Sequence, residues 1–281
     1  MGSPARARQG TVAGPRPHGM LDPRIREGGM AGIGKVALLT GASRGIGRES
    51  AEALAAKGLS LFLVAEGTEA ELAEAEAACR RAGAPEVAVA LVDLAAPGAA
   101  EAMVGSALER FGRVDVLVNN AAIRCRKPFG SFTREEFTAL VSVNLAAAFF
   151  ASQAVLPAMR RQGGGRIIHV ASQAGRVAFE DNALYGSLKA ALIQLTRNMA
   201  YELSKDGIEV NSVSPGPIAT QYNIESYGRI PGRTEQMAGR VPLGRLGQPR
   251  EIAEVIAFLA TAEGHFIQGH DLVVDGGYTI Q

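Results

Sequence analysis

Seven short apolar runs, separated by stretches of helical pattern, limit what this chain can fold into. The runs span 35–40, 59–65, 87–92, 114–119, 166–171, 208–214 and 272–274. Each is continuously apolar and rich in Val, Ile and Leu, as strands buried on both faces are. Helical patterns cover 46–57, 69–81, 99–111, 135–161, 184–204 and 250–261. Thr133 followed by Glu136 makes a capping box for the fourth of these, and Gln248-Pro249 places proline where the last begins. The alternation predicts an α/β fold: a doubly wound (Rossmann-like) seven-stranded parallel sheet in a single domain. The segment 221–247 fits no strand. Glycines 228, 232, 239 and 244 and prolines 231 and 242 interrupt it, and an insertion of this kind is expected to act as a lid.

Composition narrows the function classes. The chain has 281 residues, a net charge of +1, 47% hydrophobic and 20% charged residues. Nothing in that balance calls for nucleic acid or an anionic membrane as partner. No apolar run reaches the roughly 18 residues a membrane span needs. Cys79 and Cys125 are the only cysteines, so no metal spacing can be built from them, and a reducing, cytoplasmic setting is expected. Residues 1–32 differ from the rest. Arg6, Arg8, Arg16, Arg24 and Arg26 lie among Pro and Gly with no periodicity and no apolar h-region. This is expected to be a disordered extension rather than a secretory signal, with Met30 a natural start. Residues 33–281 form the expected domain.

The first strand runs into Thr40-Gly41-Ala42-Ser43-Arg44-Gly45-Ile46-Gly47, and a helix follows. Glycines at 41, 45 and 47 let the backbone approach a pyrophosphate, and the helix N-terminus behind them offers free N–H groups. Tyr185 and Lys189 are four apart in a helical pattern and share one face. A nearby ammonium lowers a phenol's pKa from about 10 toward a working range. Tyr185 could then give a proton to a carbonyl or take one from an alcohol. Ser172, thirteen residues before it at the end of the fifth strand, could bind the oxygen on which charge develops. Taken alone, a Tyr-x-x-x-Lys pair is more often a surface pair.

Together these residues resemble the short-chain dehydrogenase/reductases, from about Lys35 to the C-terminus. The glycine loop is similar to that family's cofactor loop. Asn119-Asn120-Ala121-Ala122 is similar to its Asn-Asn-Ala-Gly segment, with Ala122 in place of the usual glycine. Asn144, Ser172, Tyr185 and Lys189 match its catalytic tetrad in order and spacing. Pro215-Gly216-Pro217-Ile218-Ala219-Thr220, Gly244-Arg245-Leu246-Gly247 with Pro249, and Val274-Asp275-Gly276-Gly277 resemble its later signatures. The resemblance implies an NAD(P)-dependent oxidoreductase that moves a hydride between a secondary alcohol and a ketone. It implies Tyr185 as general acid/base and Lys189 as the residue that lowers its pKa and holds the nicotinamide ribose. Ser172 would orient the carbonyl, and Asn144 would hold a water leading from Lys189 to solvent. The cofactor would contact Gly41, Ser43, Arg44, Gly45, Ile46, Gly47, Glu66, Asp93, Leu94, Asn120, Ala121, Tyr185, Lys189, Pro215, Gly216, Ile218 and Thr220. The helices carrying Asn144 and Tyr185 would form a homodimer interface, usually within a tetramer.

Cofactor choice turns on two residues. Arg44 could pair with the 2′-phosphate of NADP. Glu66, nineteen residues after Gly47, stands near where an acid reads the ribose 2′-hydroxyl of NAD, although Ala65 takes the usual acid position. The balance favours NAD. The stretch Ile123-Arg124-x-Arg126-Lys127-Pro128-Phe129 is similar to sugar-acid and polyol dehydrogenases of the family, with a 3-oxoacyl-thioester reductase as runner-up. A non-catalytic cofactor-binding sensor has no need of Ser172, Tyr185 and Lys189 together, and the short C-terminus leaves no substrate domain for a sugar-nucleotide epimerase. Arg124, Arg126 and Lys127 read most plainly as solvated surface; the alternative is an anchor for a carboxylate or phosphate. His169 reads as a satisfied core histidine, His265 and His270 as turn residues. Cys125 follows the fourth strand, where it could approach the site, but has no partner for a nucleophilic role.

Overall fold

The computed structural model describes residues 34–263 and 266–280; the extension expected at 1–32 and His265 lie outside the described residues. Seven strands form: β1 (Val36–Thr40), β2 (Ser60–Ala65), β3 (Val87–Leu91), β4 (Val116–Asn119), β5 (Gly165–Val170), β6 (Ile208–Pro215) and β7 (Asp271–Val274). They pair in parallel throughout, in the order β3-β2-β1-β4-β5-β6-β7. The bounds agree with the apolar runs to within two residues, because every residue of β1 and β2 is buried and neither face can carry the polar alternation of a half-exposed strand.

Helices cover both faces. On one side α1 (Gly45–Ala56), α2 (Glu69–Ala82) and α9 (Pro249–Thr261) share a core built on Leu54, Leu72, Ile252 and Ile256. On the other, α3 (Ala99–Phe111), α5 (Ala147–Gln162) and α6 (Ala183–Leu203) pack through Met103, Val155, Met159 and Leu203.

The stretch expected as one helix over 135–161 is interrupted. It divides into α4 (Arg134–Val141), a wide π-type turn at Ser142–Ala146, and α5. In that turn the Ala147 N–H reaches back to the carbonyl of Ser142, and the Asn144 amide donates to the carbonyls of Leu140 and Ile123, both at 3.0 Å. A side chain that takes a helix carbonyl displaces the backbone ladder by one residue, and such turns concentrate at functional positions. The whole stretch Arg134–Gln162 is also long and apolar enough to cross a membrane by length and composition, although polar residues break its apolar run. Its most apolar window is 44% buried inside the fold. The apolarity serves the contact of Ala147, Ala151, Val155 and Met159 with the sheet and α3.

The segment 221–247 holds two short helices, α7 (Gln221–Gly228) and α8 (Arg233–Gly239). Tyr227, Met237 and Leu246 close a small core of their own against Ala219. Both ends are fastened. Thr220 caps α7 by accepting the Asn223 N–H at 3.2 Å, and Ile218 bridges Gly247 in parallel. The sheet reverses its winding at β1, which lies between β2 and β4. The crevice at the carboxyl ends of those strands is where such sheets bind ligands.

Candidate active site

The crevice is built by two loops tied together. The Thr40 hydroxyl accepts the N–H groups of Asn120 and Ala121, each at 3.0 Å, and the Asn120 amide donates to the carbonyls of Thr40 at 2.9 Å and Gly41 at 3.1 Å. Gly41 has φ +68°, and a Cβ at Gly47 would run into the Gly41 carbonyl and the Asn120 amide. The two glycines thus bring backbone close to backbone, which any side chain would prevent. Arg44 is the N-cap of α1 yet supplies no side-chain hydrogen bond, so the N–H groups of the first turn are left for another acceptor.

This loop pair borders a groove of about 410 Å³. Gly41, Ser43, Arg44, Gly45, Ile46, Gly47, Glu66, Leu94, Asn120, Ala121, Tyr185, Lys189, Pro215, Gly216, Ile218 and Thr220 all line it. Asp93, expected with them, does not. Its carboxylate accepts the Ala95 N–H at 2.8 Å, and Val92 and Leu94 on either side reach the groove instead. The chain leaves β3 at Leu91 and turns at Leu94, and the Asp93 carboxylate is taken up by the backbone of that turn.

A second cavity of about 550 Å³ lies beyond, under α7 and α8. The two share Arg124, Ser172, Tyr185, Gly216 and Asn223 as a common wall. Tyr185 and Lys189, one turn apart on α6, are both buried, with the Lys189 ammonium 5.7 Å from the centre of the Tyr185 ring. Lys189 donates to the Val170 carbonyl at 2.8 Å. Ser172 lies two residues past β5 and caps a short 3₁₀ turn by accepting the Ala174 N–H at 3.1 Å. Just past it, Arg176 donates at 2.6 Å to Asp271, which also accepts the hydroxyls of Ser212 and Ser214; this network holds the Ser172 loop against the sheet. Burial pushes the Tyr185 phenol up, but the charges of Arg124 and then Lys189, with hydrogen bonds from Arg124 and Ser172, bring it below the ordinary tyrosine value. Burial holds the Lys189 ammonium below the usual lysine value, against the pull of Tyr185. Asn144 stands behind, lining neither cavity; its Oδ1 is buried and has no protein partner.

The basic run divides. Lys127 faces outward and pairs with Glu136 at 2.8 Å, as a solvated residue does. Arg124, read most plainly as surface, turns inward instead, and its Nη2 lies 3.4 Å from the Tyr185 hydroxyl. Asn223 and Gln173 were not singled out from the sequence, and no motif marks them. Asn223 accepts from Arg124 at 3.3 Å and donates to the Ile218 carbonyl at 2.8 Å. Gln173 is buried in the wall of the second cavity, and its Oε1 has no protein donor. Cys125 lines neither cavity. His169 is buried beside Asn119, its pKa pushed down to about 3 by burial and then Lys189; its Nδ1 lies 3.2 Å from the Asn119 amide, while its Nε2 has no partner. The expectation of a satisfied core histidine thus holds for one ring nitrogen only.

A family profile described as enoyl-(acyl carrier protein) reductase matches residues 41–279. This chain is a short-chain dehydrogenase/reductase. It is accordingly an NAD(P)-dependent oxidoreductase acting on CH–OH donors. It is 41% identical over 255 residues to the L-rhamnose 1-dehydrogenase (NAD(P)(+)) of Azotobacter vinelandii, covering 87% of this chain and 96% of that one. With the 3-oxoacyl-[acyl-carrier-protein] reductase of Vibrio cholerae it shares 40% over 244 residues, 87% of this chain and 97% of that one. Its fold superposes with a TM-score of 0.82 on a Beutenbergia cavernae protein described as an NAD(P)-dependent gluconate 5-dehydrogenase with bound NADP, at 30% identity, covering 90% of this chain and 100% of that one.

Proposed function

We propose that this short-chain dehydrogenase/reductase interconverts a secondary alcohol and a ketone on a polyol or sugar acid, with Tyr185 as the group that moves the proton. When bound, the nicotinamide supplies or takes the hydride. The groove fits such a cofactor: its glycine cradle would be filled by a Cβ, and the uncapped first turn of α1 suits a pyrophosphate. Tyr185 gives its proton to the ketone oxygen, or takes one from the alcohol. Lys189 and Arg124 stabilise the phenolate between those events. The Ser172 hydroxyl orients the same oxygen and opposes charge as it develops there. Asn144, through its unpartnered buried Oδ1, holds a water on the path from Lys189 to solvent.

The observation that carries the polyol or sugar-acid reading is the wall of the second cavity. Gln173, Asn182 and Asn223 stand there with the guanidinium groups of Arg124, Arg126 and Arg233. Hydroxyl-rich substrates find hydrogen-bond partners along such a polar wall. A fatty thioester would leave these groups unpaired. The names of the rhamnose and gluconate dehydrogenases among its relatives point the same way.

We assign NAD over NADP. Glu66 is exposed at the end of β2 and lines the groove, where a 2′-phosphate would meet like charge. Arg44 opposes this from across the loop. Initial rates on polyols, sugar acids and 3-oxoacyl thioesters with both cofactors test the whole reading. The expected result is turnover of a polyol or sugar acid, faster with NAD, and a Glu66→Arg variant that shifts toward NADP. Turnover of thioesters alone refutes the substrate class; a tenfold preference for NADP in the unmodified enzyme refutes the cofactor assignment.

A further inference from the structure

Arg124 stands between the two cavities, half-buried, against the residue that moves the proton. Its guanidinium lies 4.9 Å from the centre of the Tyr185 ring and 5.9 Å from that of Tyr222. Nη2 donates to the Tyr185 hydroxyl and Nη1 to Asn223 Oδ1. Among the described residues no carboxylate pairs with it. The titratable groups that face it are the phenols of Tyr185, Tyr222 and Tyr227. Phenols and an amide do not neutralise a guanidinium, so its charge stays available to an anion that enters either cavity. Five N–H donors sit on that planar fork, and two contacts do not exhaust them. The second cavity is also lined by Arg126, Arg233 and Glu180. Lys127, in the same run as Arg124, is by contrast paired with Glu136 and faces out.

We propose that Arg124 holds a carboxylate of the substrate, one or two carbons from the carbon that gains or loses the hydride. The enzyme then takes hydroxy acids and the corresponding oxo acids in preference to neutral polyols. The spacing follows from Tyr185. Its hydroxyl must come within roughly 3 Å of the reacting oxygen. Arg124 Nη2 is 3.4 Å from that same hydroxyl, so an anion seated on the fork lies beside the reacting carbon. The inference rests on the dehydrogenase reading above and narrows it.

Initial rates on 3-hydroxybutyrate and lactate, each against its uncharged amide, test the proposal in the unmodified enzyme, Arg124→Gln and Arg124→Lys. The unmodified enzyme is expected to favour the acid by about tenfold or more in kcat/KM, the scale of a charge-assisted bond. Arg124→Gln brings the ratio to within about twofold, and Arg124→Lys, which keeps the charge and loses the fork, falls between. A second readout needs no turnover: oxalate, but not its neutral counterpart oxamide, quenches the fluorescence of bound NADH in the unmodified enzyme and not in Arg124→Gln. Equal rates on acid and amide, or equal oxalate binding by both proteins, overturn the carboxylate role and leave the dehydrogenase reading standing. Turnover of thioesters alone overturns that reading, and oxalate binding then still decides the role of Arg124. A shift of the pH profile in Arg124→Gln with the acid-to-amide ratio intact makes Arg124 a tuner of Tyr185 only, and overturns the proposal too.

Discussion

A phenol in water keeps its proton until about pH 10. Tyr185 is buried, which alone would raise that value, yet the cations of Arg124 and Lys189 lower it. The sign of the pH effect follows. Alcohol oxidation needs the phenolate, so its rate rises with pH and levels above a pKa lying below the free tyrosine value. Lys189→Met removes one of the two cations, and the rising limb is expected to move to higher pH; a limb that stays in place shows that Lys189 does not act on Tyr185. Tyr185→Phe keeps the ring and loses the proton, at an expected cost of about 100-fold or more in turnover. Near-normal rates in a folded Tyr185→Phe protein, checked by circular dichroism, exclude the mechanism. Much of this was legible in the sequence, because Ser172, Tyr185 and Lys189 carry their spacing with them. Arg124 was visible only as part of a basic run, and no periodicity tells which way a loop arginine turns.

At the level of elements, α7 and α8 are fastened at the two ends of their segment and built on a small core of Tyr227, Met237 and Leu246. Few apolar contacts mean low local stability. The C-terminal fastening includes Arg245, which pairs with Glu251 at 2.7 Å and holds that carboxyl down at about 2, with the Gln248 backbone N–H as second cause. The pair is exposed and contributes little. Its contribution is complete above the free glutamate value of about 4.3 and fades as pH falls toward 2. We expect hydrogen exchange in 221–247 to slow on adding cofactor and substrate, as a lid that closes and excludes water from the hydride path requires. Equal exchange in free and bound protein rules out the closing motion. The strands around this segment were readable from their unbroken apolar runs. The wide turn at Ser142–Ala146 was not, because apolar residues flank it on both sides and only the side-chain bonds of Asn144 mark it.

Across the whole molecule, the carboxyl ends of the strands gather the reversal point, the glycine loop and Tyr185, and α5 and α6 keep apolar surface elsewhere. Phe149 and Phe150 on α5 stay 43% and 42% exposed, packed edge to face at 5.3 Å, and Tyr201 on α6 is 89% exposed. We infer that a second copy of the chain covers this face. Light scattering is expected to give a dimer or tetramer that falls to monomer in a Phe149→Asp, Phe150→Asp double variant; a monomeric unmodified protein refutes this. The single wall between the two cavities has a different consequence. Glu66 and Arg44 border one chamber only, and Arg233 and Met237 the other. Mutations that change the cofactor and mutations that change the substrate can therefore accumulate independently in a lineage. Only the five shared residues, Arg124, Ser172, Tyr185, Gly216 and Asn223, tie the two histories together.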